Sequence, residues 1–161
     1  MDSDPAPIDT APIDTAANRV LAALPDWGNV TSQLNAEIAK RMGVTLSDLD
    51  ALHTLNKLGP ATAATLATHV GLTSGSVSRM IDRLDDAGCV NRVQDPHDRR
   101  RVLIEPTAEG LTRLQAYYTE LAACTRDDLA DFTDTELAAV LRFIHMVSEN
   151  TTTTLALLRK A

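Results

Sequence analysis

The chain has 161 residues, a formal net charge of −7, 44% hydrophobic residues and only 3% aromatic ones. That length suits one domain whose core is built from Leu, Val, Ile and Ala. The acidity excludes a nonspecific nucleic-acid coat but leaves a specific reader open, because local charge matters more than the total. No apolar run reaches the roughly 18 residues of a spanning helix, and no basic segment precedes an apolar one as in a signal peptide, so no membrane partner and a cytoplasmic location are expected.

Residues 6–10 and 11–15 are both APIDT. This Pro- and Asp-containing duplication lacks a hydrophobic period, and residues 1–15 are expected to be a disordered tail. A helical pattern begins near Thr15 with Val20, Leu21 and Leu24 on one side, and Pro25 is expected to interrupt or restart it. From Trp27 a second helical stretch places Val30, Leu34, Ile38 and Met42 at four-residue spacing, and Gly43 ends it. Trp27 could line a ligand cavity or anchor a subunit interface, packing being the simpler account. Thr45 with Asp48 three residues later resembles a capping box. It opens a helix carrying Leu46, Leu49, Leu52 and Leu55 that stops at Gly59-Pro60. His53 within it either faces a pocket or is a half-buried partner for a carbonyl. Thr62 can cap the next helix, whose small inward face is Ala64, Leu66, Ala67 and Val70.

Gly71-Leu72 then reads as a tight turn, and Leu72 to Glu105 carries the functional signal. Thr73 is placed as an N-cap, and Val77, Ile81 and Leu84 make one buried face of a helix over about residues 73–87. Its outward face offers Ser74, Ser76, Ser78, Arg79 and Arg83, with Gly75 bare between them. Small hydroxyls and an Arg near a helix N-terminus suit a DNA major groove, where bulky side chains would hold the helix off the base edges. Gly88 ends the helix, and Val90 to Gln94 and Arg101 to Glu105 are expected as two strands. Between them, Asp95-Pro96-His97-Asp98-Arg99-Arg100 is too rich in charge to be core. It is a solvated hairpin tip whose basic run over residues 95–101 meets phosphate. The order predicts a winged helix-turn-helix. Charge is sorted within the stretch rather than in excess: Arg79, Arg83, Arg92, Arg99, Arg100 and Arg101 are balanced by Asp82, Asp85, Asp86, Asp95, Asp98 and Glu105.

Beyond the wing, Thr107 caps a helix expected to reach about Asp131, with Leu111, Leu114, Tyr118, Leu121 and Leu129 in period. Thr133 and Glu136 form a second capping box for a last helix with Leu137, Val140, Leu141, Ile144, Val147, Leu155 and Leu158. The β-branched run Thr151 to Thr154 is expected to be packed or frayed. Two long amphipathic helices outside the DNA module need a partner for their apolar faces, which a second subunit supplies.

Three motifs carry a family resemblance: Val77-Ser78-Arg79-x-x-Asp82-Arg83-Leu84 followed by Gly88-x-Val90, then Asp95-Pro96-x-Asp98-Arg99-Arg100, then Pro106-Thr107-x-Glu109-Gly110. They resemble the MarR family (multiple-antibiotic-resistance regulators), although that family usually has Leu-Thr where this chain has Pro106-Thr107. The motifs cover about a third of the chain, with element order matching from about residue 25. The resemblance implies a mainly α fold with a small β wing. It implies a module over 45–106 that binds double-stranded DNA, and dimerisation helices over 16–44 and 107–161, within a single domain spanning 16–161. It implies a homodimer, most simply a repressor reading an inverted repeat through Thr73, Ser74, Gly75, Ser76, Ser78, Arg79 and Arg83 on the helix and His97, Asp98, Arg99, Arg100 and Arg101 on the wing. An Arg at the position of Arg100 enters the minor groove, and Asp98 is expected to fix the loop by pairing with an Arg. It also implies a small aromatic or phenolic effector, for which Trp27, Val30, His53 and Leu111 are the candidate lining.

No phosphate-binding, dinucleotide-binding, nucleophile-elbow or zinc-protease motif occurs, so an enzyme is rejected. His53, His69, His97 and His145 stand singly, without metal-ligand spacing, and no cofactor or metal is expected. Cys89 and Cys124 are expected to be reduced, mostly buried thiols, with redox sensing as the alternative. The competing function is a winged-helix module that binds protein and not DNA.

Overall fold

The computed structural model describes residues 15–159, so the expected tail lies outside the described residues except for Thr15. The described chain forms α1 (Ala16–Met42), α2 (Leu46–Leu58), α3 (Ala63–Val70), α4 (Ser74–Asp86), β1 (Val90–Gln94), β2 (Val102–Pro106), α5 (Ala108–Leu129) and α6 (Asp134–Leu158). It divides into two compact units, one ending at Leu114 and the other starting at Gln115.

In the first unit, helix starts are set by threonines. Thr15, Thr45, Thr62 and Thr73 each accept the N–H of the residue three positions on, as N-caps do. At Thr45 the box is complete, with Asp48 accepting the Thr45 N–H in return at 2.8 Å. Gly43 and Gly71 end α1 and α3 in the left-handed region, at φ 74° and 70°. The core gathers where these helices meet. Leu49, Leu52 and Leu55 of α2, Leu66 of α3 and Met80 and Leu84 of α4 are all fully buried, each contributing about 2 kcal/mol of apolar transfer.

Pro25 does not break α1. The helix runs through it for 27 residues, because one missing N–H removes one bond, to the Leu21 carbonyl, while the turns on either side keep theirs. Only the C-terminal end of α1 is anchored in the unit, by Ile38, Ala39 and Met42. Val30, which the four-residue spacing places on the buried face, is 66% exposed.

β1 and β2 pair antiparallel in the register Val90↔Pro106, Arg92↔Ile104 and Gln94↔Val102. β2 starts one residue later than its sequence suggests, because the Arg101 N–H is used in the turn, donating to the Asp98 carbonyl at 2.9 Å. Ala61 adds an isolated antiparallel bridge to β2 through a reciprocal pair of bonds with Ile104, at 3.1 and 2.8 Å. The wing is therefore tied to the segment between α2 and α3.

The second unit comprises the rest of α5 and α6. The Thr133–Glu136 capping box is present, and its bonds hold the Glu136 carboxyl below its ordinary pKa. α6 continues through Thr151 to Thr154, with Thr152 donating its hydroxyl to the Ser148 carbonyl at 2.8 Å, so the run is neither packed nor frayed but exposed helix. No residue of α6 is buried. No described helix is long and apolar enough to cross a membrane.

Candidate nucleic-acid interface

α4 has two faces. Val77, Met80, Ile81 and Leu84 are buried, and the opposite stripe, Ser74, Gly75, Ser78, Arg79 and Arg83, is exposed. Met80 joins the inward face beyond the 77–81–84 spacing that the sequence displays. The first turn is tied to itself. The Ser76 N–H donates to Thr73 Oγ1 at 3.4 Å, Thr73 Oγ1 donates to Ser76 Oγ at 3.1 Å, and Ser78 Oγ donates to the Ser74 carbonyl at 3.2 Å. A Cβ added at Gly75 would meet nothing within 4 Å, so no internal contact requires a glycine there.

The wing tip is shaped by two aspartates. Asp95 accepts the His97 N–H at 2.8 Å, and Asp98 accepts the Arg100 N–H at 3.1 Å. Both are Asx turns, in which a short side chain bonds the backbone two residues on. Asp98 thus fixes the loop, but through the Arg100 amide and not by pairing with a guanidinium. Arg99, Arg100 and Arg101 lie on an exposed tip, and none of them bonds the Asp98 carboxylate by its side chain.

The arginines fall into two groups. Arg83 is forked onto Asp48, with Nε 2.9 Å from Oδ2 and Nη2 2.6 Å from Oδ1. Arg92 of β1 bridges Asp82 and Asp85, one turn apart on α4. In contrast, among the described residues the guanidiniums of Arg79, Arg99, Arg100 and Arg101 make no hydrogen bond or ion pair. The zero charge balance of the stretch is therefore not uniform in space. Asp82 and Asp85 are paired with Arg92, Asp95 and Asp98 bond backbone amides while keeping their charge, and four cations on the helix and the tip have no partner among the described residues.

Asp48 is the one charged side chain among the fully buried residues described. Burial is the largest influence on its carboxyl and acts upward. The fork from Arg83 and the bonds from Thr45 together outweigh it and hold the pKa below its ordinary value. Linear spacing gives no hint of this pair, whose members are 35 positions apart; Asp48 is legible only as a capping residue.

The base of the wing is stitched to the start of α5. The Thr107 hydroxyl donates to the Gly88 carbonyl at 2.7 Å and accepts the Gly110 N–H at 2.9 Å, while the Thr107 N–H donates to the Cys89 carbonyl at 2.9 Å. Arg113 donates to the carbonyls of Ala87 at 3.0 Å and Met42 at 3.4 Å, satisfying the ends of α4 and α1. Cys89 is fully buried here, and burial pushes its thiol pKa up against a weaker opposing pull from Arg113. Cys124 is exposed, contrary to the expectation of two mostly buried thiols, because α5 is exposed throughout that stretch.

The residues suggested for an effector are scattered in exposure. Trp27 is 69% exposed, Val30 lies beside it on the outside of α1, and His53 and Leu111 are half-buried. Burial lowers the His53 pKa, against a weaker opposing pull from Asp50. None of the four lines the cavity of about 310 Å³ between Met42, Gly43, Arg83, Asp86, Ala87 and Arg113. None lines the groove of about 420 Å³ along α5 at Tyr118, Leu121 and Leu129. Among the described residues no group of three or more His, Cys, Asp or Glu is placed to hold a metal ion.

Comparison with known proteins agrees with this scaffold. The MarR family model matches residues 44–102. The HTH-type transcriptional regulator YcgE of Bacillus subtilis is 35% identical over 117 residues, which cover 73% of this chain and 76% of that protein. Among solved structures, RV1404 from Mycobacterium tuberculosis superposes with a TM-score of 0.65 at 22% identity, over 86% of this chain and 97% of that one. A MarR family protein from Bacillus stearothermophilus gives 0.61 at 22% identity, over 84% and 97%. At such identities the two structures bear on the fold alone. Sequence identity with a transcriptional regulator over most of both chains, on a helix-turn-helix with a two-stranded wing, decides the matter: the chain belongs to the MarR family of winged-helix transcriptional regulators, which are not enzymes.

Proposed function

We propose that the protein is a homodimeric repressor that reads an inverted-repeat operator, with the module over 45–106 on DNA and the segments 16–44 and 107–161 supplying dimerisation. The observation that carries the DNA part is the sorting of arginines, with Arg79, Arg99, Arg100 and Arg101 unengaged among the described residues and Arg83 and Arg92 held. Arg79 with Ser74 and Ser78 would face the major groove, and Arg100 with Arg99 the minor groove and its phosphates. The dimer part is supported by α6, where Leu141, Ile144, Met146 and Leu157 are each more than half exposed. A second copy is the simplest cover for such a face.

The test is binding to DNA from beside the protein's own gene across a salt series. Arg100→Ala is expected to weaken specific binding and to lower the salt slope by about one phosphate contact. Arg79→Ala is expected to cost about 1–3 kcal/mol and to relax preference at one base pair per half-site. Wild-type affinity in both variants would sink the interface. Absence of any salt-dependent DNA binding by the wild-type chain would favour the protein-binding alternative.

Gly75→Ala separates folding from reading. Nothing in the protein fills the space, and alanine is the better helix former, so stability should rise by up to about 1 kcal/mol. Operator affinity should fall, because the added methyl stands where the helix would approach the bases. Unchanged affinity would place Gly75 outside the groove.

The ligand-responsive part rests on the resemblance to the family. A phenolic anion held near Trp27, Val30, His53 and Leu111 would act by changing the spacing of two recognition helices, which must be about 34–36 Å apart to dock on successive turns. Titrating the protein–operator complex with salicylate-like compounds should quench Trp27 fluorescence and release DNA together. Quenching without release, or neither signal across a broad phenolic set, would count against the sensor.

A further inference from the structure

Arg83 lies one helical turn beyond Arg79 on the exposed stripe of α4, and the pattern alone would add it to the DNA-contacting face. Its geometry says otherwise. Nε and Nη2 are both committed to Asp48, whose side chain is 0% exposed while that of Arg83 is 43% exposed. Both oxygens of Asp48 are engaged in turn, since Oδ2 also accepts the Thr45 N–H at 2.8 Å. The carboxylate thus belongs at once to the first turn of α2 and to the middle of α4. Drawing Arg83 away to a phosphate would strand a buried anion. Left in place, its charge is already neutralised, so DNA would release little additional counterion on meeting it.

We propose that Arg83 is a positioning residue, acting through Asp48 to fix the angle at which α4 presents its N-terminal half; this rests on the DNA reading above. The lever is long enough to matter. From Arg83 to Ser74 the helix rises about 13 Å, so a tilt of about 10° about the fork moves Ser74 by about 2 Å, more than the tolerance of a hydrogen bond. The apolar face of α4 fixes which side of the helix is buried. The fork is directional and fixes its tilt against α2.

The experiment is operator binding by the full chain across a salt series for wild type, Arg83→Gln, Arg83→Lys, Asp48→Asn and the Asp48→Asn/Arg83→Gln pair, with folding followed by circular dichroism. Arg83→Gln and Asp48→Asn are each expected to weaken specific binding about tenfold with the salt slope unchanged, and the double variant to be no weaker than the weaker single. Arg83→Lys should not rescue, because an ammonium cannot reproduce a two-pronged bond. The assignment is overturned if Arg83→Gln lowers the slope by about one contact, if Arg83→Lys restores binding, or if Asp48→Asn binds as tightly as wild type or more so. Should Arg83→Gln fail to fold, the isosteric Asp48→Asn decides alone: weaker binding at unchanged slope supports the assignment, and equal or tighter binding overturns it. If the wild-type chain shows no salt-dependent binding, the DNA reading falls and this assignment with it. Wild-type binding with any of the contrary variant results overturns the assignment alone.

Discussion

Gly110→Ala is expected to destabilise the protein by about 2–3 kcal/mol, even though alanine is normally favoured over glycine in a helix by about 1 kcal/mol. A Cβ at this position would lie 2.7 Å from Cys89 Cα, 2.9 Å from the Cys89 carbonyl oxygen and 2.9 Å from Thr107 Oγ1. Two of these are backbone atoms that cannot rotate away. The third is the hydroxyl that joins the Gly88 carbonyl to the Gly110 N–H, so relieving the clash also loosens the stitch between the wing and α5. In a chain of this size the loss corresponds to a fall of roughly 5–10 °C in melting temperature. Gly75→Ala is the internal control, since it adds the same methyl to open space. Equal melting temperatures for the two variants would mean that the approach of α5 to Cys89 is looser than its geometry.

Arg83→Met is expected to cost about 2–4 kcal/mol, somewhat less than the removal of one partner from a fully buried ion pair, because Arg83 itself is partly solvated. Methionine keeps the apolar stem and leaves Asp48 with Thr45 alone. The pair should also shape the acid limb of stability. The folded carboxyl of Asp48 lies below its ordinary pKa, so its contribution is complete above the unfolded value, near 3.8, and is lost as pH falls through the lower folded value. Urea midpoints measured down that limb should fall for wild type and flatten for Asp48→Asn, which has no proton to gain. Parallel acid limbs would remove Asp48 from the acid response.

What was legible in the sequence is what is local. Threonine caps, the glycines after α1 and α3, the 77–81–84 face and the charged hairpin tip each announce themselves within a few residues, and the family motifs lie on those same stretches. What was not legible depends on partners far along the chain. The Asp48–Arg83 fork and the Ala61–Ile104 bridge join segments that no periodicity connects. Pro25 shows a related limit: its local penalty is real, but the helical bonding of the turns around it outweighs one missing bond. The arginine face shows both limits. All of its members were visible as basic residues, yet only the fold separates those already engaged from those available.

That tolerated proline has a consequence for amide hydrogen exchange. The carbonyl of Leu21 has no N–H at Pro25 to receive, and the helix N-terminal to it is exposed apart from half-buried Leu24, whereas Ile38, Ala39 and Met42 are buried in the core of the first unit. Opening free energies along a single helix should therefore be unequal. In the isolated protein, amides before Pro25 should exchange through local fraying, and those of residues 38–42 only with the opening of the first unit. A helix continuous in its backbone path, with one rung missing from its hydrogen-bond ladder, would then behave, in deuterated solvent, as two segments with separate lifetimes.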